Sequence, residues 1–189
     1  MANLILISGP PRSGKDTLAK WLSNTVDYKL MKFAEPIERA LRGFFGLDYA
    51  EFMKRREDLK DDPWPLLQGK SFRQCMQSFS EDWAKQYGQD IFGRLAAYRV
   101  RRDKDEGFNK FVFSDCGFTA EIVPVLRHFL TEEVILVRLF REGCSYDGDT
   151  RSYPNLAMLP ADLDVRDYHN NGTEDDLFVF GESLIMDEF

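Results

Sequence analysis

The chain has 189 residues, is 43% hydrophobic and carries a formal net charge of −7. That length suits one domain, 1–189, with room for a mobile subdomain, and buries about 70% of the unfolded surface without staples. An acidic balance argues against nonspecific binding along nucleic acid, where many lysines and arginines neutralise phosphates, and leaves room only for a local basic groove.

Cys75, Cys116 and Cys144 are odd in number and unpatterned, and His128 and His169 lie far apart in sequence. Neither a zinc spacing nor a disulfide framework results, and a reducing cytosol fits. The opening apolar run is too short for a signal peptide and lacks its basic flank, and no stretch approaches a membrane span. A cytoplasmic chain with no membrane partner is expected.

Leu4 to Ile7 is a short apolar run, as in a strand buried on both faces. Gly9-Pro-Pro-Arg-Ser-Gly14-Lys15 follows and fits G-x-x-x-x-G-K, after which Leu18, Ala19 and Leu22 recur at helical spacing. Strand, glycine loop and helix are the context of a phosphate-binding P-loop. Gly9 and Gly14 let the backbone approach a polyphosphate, with Pro10, Arg12 and Ser13 between them. Lys15 supplies a positive charge for the β- and γ-phosphates of ATP. Asp16 stands where Ser or Thr usually ligates Mg²⁺ and Thr17 follows, so either residue, directly or through water, is a candidate for that contact.

Leu30 to Ala34 reads as a second strand, and Glu35-Pro36 opens a helix with Ile37, Ala40, Leu41, Phe44 and Phe45 on its apolar face. A charged helix spans Glu51 to Lys60, and prolines on either side of Trp64 make a stiff link. Ser71 to Tyr87 is a helix stopped by Gly88, and Asp90 caps another that runs to Arg102, followed by a polar turn over 103–109. Phe111 to Phe113 is a buried strand. Thr119 starts a helix that Pro124 kinks or delays, and Val134 to Leu139 is again a buried strand. Residues 141–160 lack periodicity, and a loop that long in a compact domain is usually functional. Val165 to His169 is the last strand, and Thr173 opens the final helix after the Asn170-Asn-Gly172 turn. Alternating strands and helices imply an α/β, three-layer sandwich on a parallel sheet, with its site at the C-terminal strand ends.

Asp115 ends an apolar strand, where it would hold magnesium through water or accept a proton from an attacking hydroxyl. Arg138, Arg141 and Arg151 flank or occupy the long loop, and an arginine closing over a phosphoryl group offsets the charge of its equatorial oxygens. Arg151 is the candidate of a mobile lid over about 141–160. Arg73 and Arg94 lie on the helices of 35–102 that would wall the acceptor side, where a nucleotide phosphate needs cations.

The order of these motifs resembles the bacteriophage deoxynucleoside-monophosphate kinases and their P-loop relatives, including the 5-hydroxymethyluracil DNA kinases. Gly14-Lys15-Asp16-Thr17 is similar to their loop, and Phe33-Ala34-Glu35-Pro36-Ile37 to their short strand and Pro-started helix. The stretch from Arg73 to Arg94 is similar to their helix pair, and 171–178 to their C-terminal ending. Asp115 to Glu121 matches their D-x-R-x-x-x-E segment except at Gly117, where they carry arginine. The resemblance implies an ATP- and Mg²⁺-dependent kinase with a deoxynucleotide-type acceptor met by Arg73, Arg94, Gly117 and Glu121. If the missing arginine grips a free nucleotide, its replacement by glycine favours a base already in DNA, with room at Gly117 for an extruded 5-hydroxymethyluracil and Asp115 as its base. Phosphorylation of free deoxynucleoside monophosphates is the alternative reading, and a nucleotide-binding switch that phosphorylates no partner is a third.

Overall fold

Leu4, Ile5, Leu6 and Ile7 are fully buried, because their strand, β1 (Leu4–Ser8), lies at the centre of the sheet with helices on both faces. The computed structural model describes residues 2–186. Around β1 stand β2 (Lys29–Met31), β3 (Phe111–Phe113), β4 (Val134–Phe140) and β5 (Asp164–His169). All pair in parallel, in the order β2-β3-β1-β4-β5, with Leu4 opposite both Phe111 and Val134.

Side-chain alternation along these strands builds two cores. Leu4, Leu6, Phe111, Phe113 and Leu136 face α5 (Ile91–Asp105) and α6 (Thr119–Leu126), through residues such as Ala96, Val100 and Ile122. Ile5, Ile7, Val112, Ile135 and Val137 face α1 (Lys15–Thr25) and α7 (Glu174–Ser183), through Leu18, Leu22 and Leu177. The three expected layers are therefore present. Helices α1 and α7 cross closely at Gly181, where a Cβ would come within 2.9 Å of Leu18 and 2.8 Å of Trp21.

The expected boundaries shift where a distant partner intervenes. Strand β2 ends at Met31 rather than Ala34, because the Phe33 N–H leaves the ladder and donates to Asp115 Oδ1 at 2.9 Å. Helix α5 runs past Arg102 to Asp105 because Asp103 is buried against the Lys29 ammonium (2.9 Å) and Arg102 (3.0 Å) instead of lying in a polar turn. Helix α6 starts at Thr119, with no delay, and ends two residues after Pro124.

Residues 34–92 form one compact unit and the chain on either side of them forms the other. The 34–92 unit holds α2 (Glu35–Phe44), α3 (Tyr49–Glu57) and α4 (Phe72–Tyr87). Capping boxes at Asp48/Glu51 and Ser71/Gln74 start α3 and α4. Trp64 packs against Phe45 and Phe72, with Arg55 over its ring, so its aromatic face is occupied within this unit. Only Ile37 and Leu41 of the expected α2 face are buried; Phe44, on the same stripe but in the last position of the helix, is 81% exposed. Among the described residues no helix is long and apolar enough to cross a membrane.

Candidate active site

The P-loop closes the C-terminal end of β1. Arg12 (φ 67) and Gly14 (φ 100) both take the left-handed conformation that turns the chain into α1. Ser13 N donates to Pro10 O at 3.2 Å and Lys15 Nζ donates to the same carbonyl at 3.0 Å, which folds the ammonium back into the loop. Lys15 is buried, and burial lowers its pKa; Asp16, Asp115 and Asp149 pull it back up, while Arg151 pushes it down further. Ser13 is fully buried and its Oγ has no partner among the described residues, so the loop contains a hydroxyl that a ligand oxygen can satisfy. The loop is also braced from β5. Asn170, 3% exposed, donates from Nδ2 to Ser13 O at 2.9 Å, and a Cβ at Gly14 would collide with that amide.

Two acidic residues stand beside Lys15. Asp16 Oδ1 accepts from Ser114 Oγ at 3.0 Å and lies 3.6 Å from Lys32 Nζ. Asp115 Oδ1 accepts from Phe33 N, which fixes the carboxylate at the end of β3. With the Thr17 hydroxyl one residue on, these make an all-oxygen donor set that fits magnesium, which takes one or two carboxylates plus waters and phosphate oxygens. No cluster of three or more metal-ligating side chains occurs among the described residues.

Residues 141–160 fold back over this end of the sheet. Tyr146 Oη lies 3.2 Å from Ser8 Oγ, and Tyr153 Oη donates to Leu139 O at 2.7 Å. Between these two anchors Arg151 is gripped by Asp149, with Nε to Oδ1 at 2.9 Å and Nη2 to Oδ2 at 2.6 Å. The Arg151 charge acts on Lys15 and on Glu121. Glu121 is 7% exposed and its carboxyl has no hydrogen-bond partner among the described residues. Burial raises its pKa well above the ordinary value, Asp115 raises it further, and Arg151 opposes both.

Lys15, Asp16, Asp115, Glu121 and Arg151 therefore converge. Arg138 does not join them. It stands opposite Asp167 in the β4–β5 register and makes a two-pronged ion pair with it, at 2.7 and 2.6 Å. Gly117 lies beside Arg151, but the space at its Cβ is filled. A methyl there would come within 2.6 Å of Arg151 Cγ and Cδ, so the glycine leaves room for an arginine stem rather than for a base. Arg73 sits on α4 in the 34–92 unit, paired with Asp61 at 2.5 Å. Arg94 is exposed on α5, one residue after Gly93, whose bare backbone lies against the Glu121 carbonyl. Sequence reasoning missed Asn170, read as turn, and Asp149 and Tyr146. Their signal was faint: an asparagine at a strand end, and an aspartate two residues before Arg151.

A cavity of about 450 Å³ opens beside Pro10 at the ends of β4 and β5, lined by Phe140, Arg141, Cys144, Tyr153 and His169. Phe140 stacks on both Tyr153 (4.7 Å) and His169 (5.2 Å), so its wall is aromatic.

No family model and no curated protein matches this chain. Among solved structures it is similar to a sugar kinase from Janibacter sp. HTCC2649, with 12% identity, 97% of this chain and 94% of that one covered, and a TM-score of 0.51. A putative kinase from Chloroflexus aurantiacus J-10-fl aligns at 14% identity over 97% and 93% of the two chains, with a TM-score of 0.49. A gluconokinase from Sinorhizobium meliloti 1021 aligns at 11% identity over 96% and 95%, with a TM-score of 0.42. The first likeness shows the fold: this chain is an α/β sandwich on a five-stranded parallel sheet.

Proposed function

We propose that the chain is an ATP-dependent phosphotransferase whose acceptor is a hydroxyl of a deoxynucleotide-type substrate, with the hydroxymethyl group of 5-hydroxymethyluracil in DNA as the specific acceptor. The observation that carries the reading is the convergence of the buried Lys15 ammonium, Asp115 and Arg151 at the mouth of the P-loop. Backbone and helix N-terminus bind the phosphates, and the aromatic cavity beside Pro10 takes the nucleoside. Bound magnesium, held by Asp16, Thr17 and Asp115, would supply positive charge to the phosphate oxygens. Lys15 and Arg151 offset the charge of the transferring group, and Asp115 takes the proton of the acceptor hydroxyl.

The acceptor side supports a hydroxyl over a phosphate. Asp115 and the Glu121 carboxyl, which burial biases toward its protonated form, suit an O–H group, whereas a phosphomonoester beside two acids is disfavoured. The net charge of −7 favours the second reading, a kinase of free deoxynucleoside monophosphates, because it opposes a polyanionic substrate.

Substitution of Lys15 by Ala tests the phosphotransferase reading directly. Transfer of labelled γ-phosphate is expected to fall by roughly 10²- to 10³-fold, with the circular dichroism spectrum unchanged. Turnover near that of the unaltered chain contradicts the scheme.

A further inference from the structure

Arg151 reaches the site from an exposed loop, and long arginine side chains on loops do not hold one orientation by themselves. Two contacts restrain it here. Its aliphatic stem lies on the bare backbone of Gly117, where a Cβ would stand 2.6 Å from Cγ and Cδ and 2.8 Å from Cβ. The two segments are tied at the same point by Ser152 N, which donates to Gly117 O at 3.1 Å, and three residues on by Asn155 N, which donates to Thr119 Oγ1 at 2.8 Å. The guanidinium is held by Asp149, which takes the Nε and Nη2 donors and also accepts from the Arg151 backbone N–H at 3.0 Å. Nη1 takes no hydrogen-bond partner among the described residues, so one edge of the fork is occupied and the other is open.

That division of the fork is informative. A guanidinium has two edges able to meet a pair of oxygens. Asp149 covers one, and the open edge is the one that can meet two oxygens of a phosphoryl group. The Asp149 carboxylate does not compete for that edge. It fixes where the edge points, at the cost of part of the arginine's charge.

We propose that Gly117 and Asp149 are positioning residues that aim the open edge of Arg151 at the phosphoryl group in transfer. Gly117 does so by giving the stem a place to lie, and Asp149 by holding the opposite edge. Neither touches the reacting atoms. The inference rests on the phosphotransferase reading above, and it makes the glycine a requirement of Arg151 rather than of the acceptor.

The test uses the full chain, as Gly117→Ala and Asp149→Asn, each alone and combined with Arg151→Ala. In the otherwise unaltered chain each is expected to lower kcat roughly ten- to a hundredfold, less than the roughly 10²- to 10³-fold that removal of a transition-state donor costs because the donor is misaimed rather than lost, with the KM for ATP changed less than about threefold. In the Arg151→Ala background neither is expected to cost anything further, because both act through that side chain. A second readout is independent of turnover: exchange of the Arg151 Nε–H, followed by NMR, is expected to quicken at least about tenfold in Asp149→Asn.

Equal losses with and without Arg151, unchanged kcat, or unchanged Nε–H exchange in Asp149→Asn each overturn the proposal. Because Asp149→Asn is isosteric, it keeps the test decisive if Gly117→Ala fails to fold. An unaltered chain that transfers phosphate to no acceptor overturns the phosphotransferase reading and the catalytic part of this one with it. An active chain whose variants behave additively overturns this one alone.

Discussion

Glu121 is a residue whose buried environment changes its chemistry. Burial, then the neighbouring Asp115, raise its pKa well above the ordinary value of 4.5. In the window between 4.5 and its raised value, the folded chain holds a proton that the unfolded chain has released. Stability therefore falls as pH rises through that window. Glu121→Gln removes the penalty, so the variant is expected to melt at or above the temperature of the unaltered chain near pH 8. That advantage should vanish below pH 4.5, where both forms are neutral. Thermal melts across this range check it, and an equal loss at every pH contradicts the assignment. Lys15 and Asp115 were readable in the sequence because local pattern marks them: the spacing of a glycine loop, and an acid at the end of an apolar strand. Arg138 has a partner that no local pattern reveals. Its partner, Asp167, is set by the register of β4 on β5. Arg138→Ala is accordingly expected to cost about 1 kcal/mol or less of stability and to leave kcat within about twofold. A hundredfold fall in kcat would return it to the site.

Among the elements, the loop that carries Lys15 depends on a strand far away in sequence. Asn170, at the end of β5, holds Ser13 O from a buried position. Asn170→Ala leaves that carbonyl unsatisfied, which costs about 1–3 kcal/mol and is expected to weaken ATP binding roughly tenfold or more. Calorimetric titration with Mg–ATP checks this; unchanged affinity means that the loop holds its shape without Asn170. Most elements were visible from the sequence because their starts carry side-chain caps, as at Ser71 and Thr173, and their cores alternate or recur at helical spacing. The misplaced ends share one physical cause. Asp103 and Phe33 behave as they do because Lys29 and Asp115 meet them across the fold, and local propensity is overridden where a buried polar partner is available. The long loop was readable as functional from its length, but not its anchors, since Tyr146 and Tyr153 bind the ends of β1 and β4.

For the whole molecule, the alternation of strands and helices sufficed to give the layered architecture, because buried parallel strands and their crossover helices leave few alternatives. The identity of the acceptor is of a different kind. It depends on which charges meet in space, and the structure brings Asp115 from the end of β3, Glu121 from α6, and Asp149 and Arg151 from the long loop to one place. On the proposed reading, the carboxyls of Asp115 and Glu121 suit an uncharged hydroxyl rather than a phosphate. The direct test of that claim is γ-phosphate transfer from labelled ATP to two acceptors side by side: duplex DNA containing 5-hydroxymethyluracil, and a mixture of free deoxynucleoside monophosphates. The account predicts label in the modified DNA and none in ordinary thymine DNA. Label in free diphosphates alone, or in neither acceptor, would contradict it.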